Sequence, residues 1–340
     1  MAYPGNSSGA FATLASTMAY AGNSSRASLI PDFDSWQEHA ATRALMIAFN
    51  LLGILGNLIV VYVIPRIPEG AMNGASKVHF IGLSIADMMT STIFLSGPVS
   101  AAVAEWVGWS HGRETFCKVM GLLIVNNIGL GLLHIMLLNT ERYLSIMKPL
   151  IHPSFATTQR ALIRSVIPSI LQTLGISVYV FIVDYLVGDA FTYQPKLANC
   201  TLNFHSSAMM WLSLTLFAST WSSLVVLVFQ YGHIIYISLQ ILRDRRARAA
   251  SQGITLPSSQ SMRNFRTIRT PVIITGLFSL SFLPITSIET HRMVTGTPVH
   301  PNMTVFAYVC IFINGILNPF IYFSTVVSFR HTLKKILKCH

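Results

Sequence analysis

GLLIVNNIGLGLLHIMLLNTERYLSIMKPL (residues 121–150) decides the fold. Residues 121–140 contain no Asp, Glu, Lys or Arg. About 20 such residues cross the hydrocarbon of a bilayer as one helix. Glu141, Arg142 and Tyr143 then follow in succession. A carboxylate beside a guanidinium is costly in oil. At the edge of the oil it is useful, because the two charges attract more strongly there than in bulk water.

The whole chain has the same character. Of its 340 residues, 52% are hydrophobic and 10% charged, with mean hydropathy +0.56. Soluble domains carry about 25% charged residues, so the surface is built for lipid. Seven runs are long enough to span: 43–65, 77–101, 115–143, 161–186, 207–242, 266–292 and 302–325. None alternates with period two, which excludes barrel strands. The expected fold is an all-α membrane protein, a seven-transmembrane helix bundle. In SFRHTLKKILKC (328–339), Phe329, Leu333, Ile336 and Leu337 share one helical face and four basic residues the other, as in a helix lying in the interface. Cys339 at its end could carry a palmitoyl chain. The chain divides into an N-terminal segment (1–42), the bundle (43–327) and the amphipathic tail (328–340).

Orientation follows from the loops, where Lys and Arg accumulate on the cytoplasmic side. Of the 23 Lys and Arg residues, 17 fall on the ERY side. The others are Arg26, Arg43, Arg113, Lys118, Lys196 and Arg292. The expectation is a multi-pass plasma-membrane protein with its N-terminus outside. The glycosylation sequons at Asn6, Asn23, Asn199 and Asn302 all lie on that outer side, Asn302 too close to the membrane to be used. Residues 1–42 are rich in Ser, Ala and Gly and read as disordered. MAYPGNSSGA (1–10) recurs there as MAYAGNSSRA (18–27). No cleavable signal is visible, so the first span serves as the export signal. The net charge of +11 is distributed between apolar runs, with no basic-aromatic patch for nucleic acid.

Cys117 and Cys200 both lie on the oxidising side, where a disulfide between them is expected. Cys310 sits within an apolar run. Ionisable and amide groups inside spans are expensive and usually functional. Here they are Asp87, with Asn57, Asn126, Asn127, Asn314 and Asn318 as amides, and His134. Asp87 with Asn57, Asn314 and Asn318 could form one cluster that leaves room for water or a cation. Pro284 and Pro319 each remove a helix hydrogen bond.

GN (56–57), LSIAD (83–87), Cys117, ERY (141–143), FSLSFLP (278–284) and NPFIY (318–322) occur in this order, each on its own span. This ordered set resembles the rhodopsin-like (class A) G-protein-coupled receptors over about residues 43–339. The resemblance implies that Arg142 turns toward a heterotrimeric G protein on activation, with Glu141 holding it at rest. Tyr143 would shape the second inner loop. Tyr231 and Tyr322 would meet Arg142 in the active state. Asp87, Asn57, Asn127, Asn314 and Asn318 would form a polar cluster able to hold sodium, beneath an aromatic switch of Phe278 and Phe282. Several positions depart from the pattern. Phe282 replaces a tryptophan, Ser281 a cysteine, Ser223 a proline, and Gly131 a serine that often helps bind sodium. Ser169 lies near the place of the fourth span's usual tryptophan. The sixth span begins at Asn264 without the acid that locks Arg142 in some receptors, so raised basal signalling is expected.

Family geometry also indicates a ligand site walled by Met120, Ile124, Val125, Ile128, Ile285, Thr286, Glu289, Thr304, Tyr308 and Phe312. Ile124 replaces the aspartate that amine receptors need. Phe312 replaces the lysine that would bind retinal, which excludes a retinal pigment. The expected ligand is lipid-like, or a short peptide with a basic group for Glu289. No hydrolase, P-loop or metalloprotease motif points to an enzyme. A transporter should show repeated halves, and none is visible. A decoy or trafficking partner is opposed by the intact ERY and NPFIY.

Overall fold

The computed structural model describes residues 40–107, 113–188, 190–194, 199–203, 209–251, 258–295, 297 and 299–338. Seven helices in it are long and apolar enough to cross a membrane. They are span one (Ala40–Val63), span two (Gly74–Val107), span three (Arg113–Met147), span four (Thr158–Val187), span five (Met210–Ser251), span six (Ser258–Thr295) and span seven (Pro301–Thr325). A short helix, His152–Phe155, follows span three. The tail helix, Val327–Lys338, docks through Phe329, Leu333 and Ile336 and leaves Leu337 exposed.

Local chemistry sets several boundaries. Thr157 caps span four by accepting from the Arg160 amide, and Gly188 ends it in the left-handed region at φ 70°, which costs glycine nothing. Spans five and six run well past the bilayer on the ERY side. Their helical ends take up most of residues 243–265, the stretch between the fifth and sixth apolar runs. RDRRARAA (243–250) is composed largely of Arg and Ala, both strong helix formers.

Small residues let the spans approach closely, as in membrane bundles generally. A Cβ at Gly82 of span two would lie 2.1 Å from the His134 ring of span three. That ring is pinned on both sides, by the Leu130 carbonyl at 2.8 Å and by Ser165 of span four at 2.9 Å. Span four otherwise turns most of its apolar side chains outward, Phe181 and Leu171 among them. In a membrane these meet lipid.

At the other end, β1 (Phe191–Gln194) and β2 (Asn199–Leu202) form an antiparallel hairpin that pairs Tyr193 with Cys200. The expected Cys117–Cys200 disulfide is formed and ties the hairpin to span three. Cys310 is a half-buried free thiol. Asn199 corrects an expectation. It is fully buried, its side chain donates to the Ile93 carbonyl and accepts from the Cys200 amide, and the folded hairpin has no room for a glycan there. Asn6, Asn23 and Cys339 lie outside the described residues.

Candidate functional site

Three polar or hollow regions follow one another along the bundle axis. The first surrounds Glu141, whose carboxylate is completely buried. It accepts hydrogen bonds from Asn73 Nδ2 at 2.8 Å, Ser76 Oγ at 2.7 Å and His152 Nε2 at 3.1 Å. Arg142 comes only to 3.9 Å of it, through Nε, and donates instead to Ser76 Oγ at 2.8 Å. The expected ion pair is therefore loose and bridged by a serine. Sequence reasoning missed Asn73, Ser76 and His152. Asn73 had a signal, because its Oδ1 also caps span two by accepting from the Ser76 amide at 2.8 Å.

The two tyrosines assigned to Arg142 lie elsewhere in this conformation. Tyr322 is buried edge-on against Phe80, with ring centres 5.0 Å apart. Tyr231 donates to Asn139 Oδ1, which also accepts from Thr275 Oγ1 at 3.1 Å. One amide oxygen of span three thus holds spans five and six together. Tyr143 meets His233 at 3.0 Å and makes a second tie between spans three and five. The Asn264 side chain is outside the described residues.

The second region is a cavity of about 30 Å³ lined by Asp87, Asn127, Gly131, Asn314, Phe278 and Phe282, among others. That is room for a water or a small ion. The amides here are arranged differently from the single cluster expected. Only Asn318 touches Asp87, donating to Oδ2 at 2.6 Å. Asn57 reaches across to the Gly315 carbonyl at 3.0 Å. Asn127 donates to the Ala86 carbonyl and to Thr90 Oγ1, both at 2.8 Å. The amide oxygens of Asn57, Asn127, Asn314 and Asn318 are buried without a donor. One carboxylate and several spare carbonyl-type oxygens suit a hard monovalent cation or ordered water. Among the described residues no three His, Cys, Asp or Glu side chains gather, so the set does not suit a transition metal.

The third region is a larger cavity, about 100 Å³, at the disulfide end. Ile124, Val125, Ile128, Ile285, Thr286 and Tyr308 line it as expected. Phe312 lines the smaller cavity instead and packs edge-on with Phe94. Met120 stands aside and takes a contact from Ser96 at 3.2 Å. Glu289 and Thr304 are engaged by Arg292, at 2.8 and 3.2 Å respectively. Span five supplies a wall that sequence reasoning missed, made of Leu216, Phe217, Ser219 and Thr220. Phe282, Ile128 and Ile311 line both cavities and form the partition between them. Phe282 stacks on Phe278, with ring centres 4.3 Å apart. Pro284 lies two residues beyond Phe282, within span six. Pro319 of span seven packs close to Gly56 of span one.

Residues 56–322 match the family model described as 7 transmembrane receptor (rhodopsin family). The chain is 25% identical over 307 residues to the [Phe13]-bombesin receptor of Bombina orientalis, covering 85% of this chain and 74% of that one. It is 24% identical to the human neuropeptides B/W receptor type 2, covering 85% and 83%. The octopamine receptor beta-2R of Chilo suppressalis is 22% identical, with coverage of 87% and 79%. Squid rhodopsin superposes with a TM-score of 0.71 at 19% identity, over 91% of this chain and 87% of that one.

Proposed function

Because the chain belongs to the rhodopsin family of seven-transmembrane receptors, a family of signalling receptors and not enzymes, we propose a specific working cycle for it. A ligand binds in the larger cavity, at the extracellular end of the bundle, and a heterotrimeric G protein is activated at the ERY end. In this reading the N-terminus is outside and the protein resides in the plasma membrane.

The observation that carries the reading is the shared partition. Phe282 borders the ligand cavity on one side and the Asp87 cavity on the other. A ligand that displaces Phe282 must move Phe278, which stacks on it, and with it span six. One turn further along that helix, Thr275 is tied to Asn139. Releasing this tie leaves Tyr231, the tyrosine assigned to Arg142 in the active state, held to Asn139 by its own hydrogen bond alone. A ligand drives the change only by binding the two arrangements with different affinity.

Asp87, with the spare oxygens of Asn127 and Asn314, would hold a sodium ion. Its positive charge would balance the carboxylate and favour the resting packing. Ile124 in the cavity wall gives an ammonium no counter-charge, so an amine ligand does not fit. With no lysine in span seven, retinal has no attachment point. The basic group expected to meet Glu289 is already supplied by Arg292.

The test is agonist-free G-protein activation across the main G-protein classes. Wild type is compared with Arg142→Ala at matched surface expression. A basal signal above untransfected cells that the substitution changes supports a receptor and identifies its G protein. Signals equal to untransfected cells for both forms would remove both the raised basal activity and the support for coupling.

A further inference from the structure

The larger cavity has a definite chemical character. None of its described lining residues is charged, and five carry hydroxyls: Thr201, Ser219, Thr220, Thr286 and Tyr308. A hydroxyl has one hydrogen to give. Ser219 and Thr220 both donate theirs to the Leu216 carbonyl at 2.8 Å, and Thr286 donates to the Phe282 carbonyl at 3.0 Å. Thr201 and Tyr308 are both almost fully buried at the hairpin end of the cavity. What these groups can still offer a guest is mainly lone pairs. The nearby charges are closed on themselves, because Arg292 binds Glu289 and Thr304 together and Glu289 is buried. A charged guest would have to break that pair and leave one partner desolvated.

Access has a direction as well. At the disulfide end the hairpin covers the cavity. Thr201 lines it while almost fully buried, and the Phe191 ring would lie 2.7 Å from a Cβ at Gly121. On the side wall Ser219 lines the cavity and is nevertheless exposed, as are Thr215 and Ser222 on the same helical stripe. Ser219 lies within the membrane-crossing part of span five, Leu214–Ile241. Its exposure is to lipid.

Resting on the receptor reading above, we infer that the ligand is an uncharged, mostly apolar small molecule with a hydroxyl or amide donor, which reaches the cavity from the bilayer past Ser219. The apolar walls take its body, and the lone pairs of Thr286, Thr220 and Ser219 take its donor.

The full chain in lipid nanodiscs tests this with a photoactivatable long-chain alcohol, labelled sites being read by mass spectrometry. The carboxylic acid and primary amine of the same chain length serve as competitors. The expected result is saturable labelling within residues 121–132 and 216–220, displaced by unlabelled alcohol at least tenfold more effectively than by acid or amine. Ser219→Trp should slow labelling several-fold, and Ser219→Leu, a milder change, by less. Thr286→Glu should shift the preference toward the amine. Labelling that never saturates and spreads over the lipid-facing spans overturns the site. Acid or amine competing as well as alcohol overturns the ligand class. Saturable labelling at wild-type rates in both Ser219 variants overturns the membrane route. None of these readouts needs a G protein, so a chain that labels without signalling refutes the coupling alone. One that signals without labelling refutes the ligand class alone.

Discussion

Glu141 and Asp87 are both carboxylates buried inside the bundle, and they are treated in opposite ways. Glu141 receives three hydrogen bonds from two other elements and has a guanidinium beside it. Asp87 receives one, from Asn318, and faces a cavity edged with donor-less amide oxygens. A fully partnered carboxylate fixes its neighbours in one arrangement. An under-partnered one leaves a vacancy in its hydrogen bonding that a mobile guest can fill and leave. The first is built as an anchor; in the proposed reading the second is a site of exchange.

The contrast predicts unequal damage. Glu141→Ala strips a partner from Asn73, Ser76, His152 and Arg142 at once. Breaking a buried charged set costs about 3–5 kcal/mol. The partly exposed Arg142 side chain, at 20%, places this case near the lower figure. Asp87→Ala orphans only the Asn318 amide, at about 1–3 kcal/mol. Thermal unfolding of the two purified variants in one detergent gives the ranking. Equal losses would mean that Asp87 is anchored as firmly as Glu141 and would end the comparison.

A smaller effect probes how the anchor end stays closed without an acid on span six. Asn139 Oδ1 holds Tyr231 and Thr275 together, and Thr275→Val removes one arm while keeping the shape. Losing about 1 kcal/mol of hydrogen bonding from the resting state raises the active fraction roughly fivefold. Basal G-protein activation should rise accordingly. Tyr231→Phe in the same background should then add little to the rise, because both arms end on the same oxygen. Unchanged basal activity in Thr275→Val would show that span six is held by other contacts.

How far these features could be read beforehand depends on what sets them. The seven spans were legible because hydrocarbon demands long uncharged helices, and little else in a sequence looks like that. The Cys117–Cys200 bond followed from compartment and sidedness. The partnership of Asp87 with Asn318 was legible because a buried carboxylate needs a donor nearby. His152 on Glu141 was not, since it depends on how a short loop helix folds back. The Arg292–Glu289 pair was present in plain view in ETHR (289–292), at the i,i+3 spacing that brings helical side chains together. Reading Glu289 as free for a ligand overlooked it. The burial of Asn199 was hidden because a sequon records local sequence and not the hairpin around it. The helical ends of spans five and six were under-read because hydropathy reports where the membrane stops, not where the helix does.

The smallest effect bears on the exchange site itself. If Asp87 holds sodium, stability should rise with sodium chloride more than with potassium chloride, by about 0.4 kcal/mol when sodium equals its dissociation constant. Asp87→Asn should abolish the difference. Gly131 makes the sharper test, because a Cβ built there meets nothing within 4 Å. Gly131→Ser can therefore add one hydroxyl oxygen to the cavity without displacing a neighbour. An added ligand oxygen worth about 1 kcal/mol lowers the sodium concentration at half-effect roughly fivefold and leaves the potassium curve in place. If both salts stabilise the variant equally, the hydroxyl has joined a water cluster. The spare oxygens of Asn127 and Asn314 would then serve hydration, and Asp87 would be an under-partnered carboxylate that water alone completes.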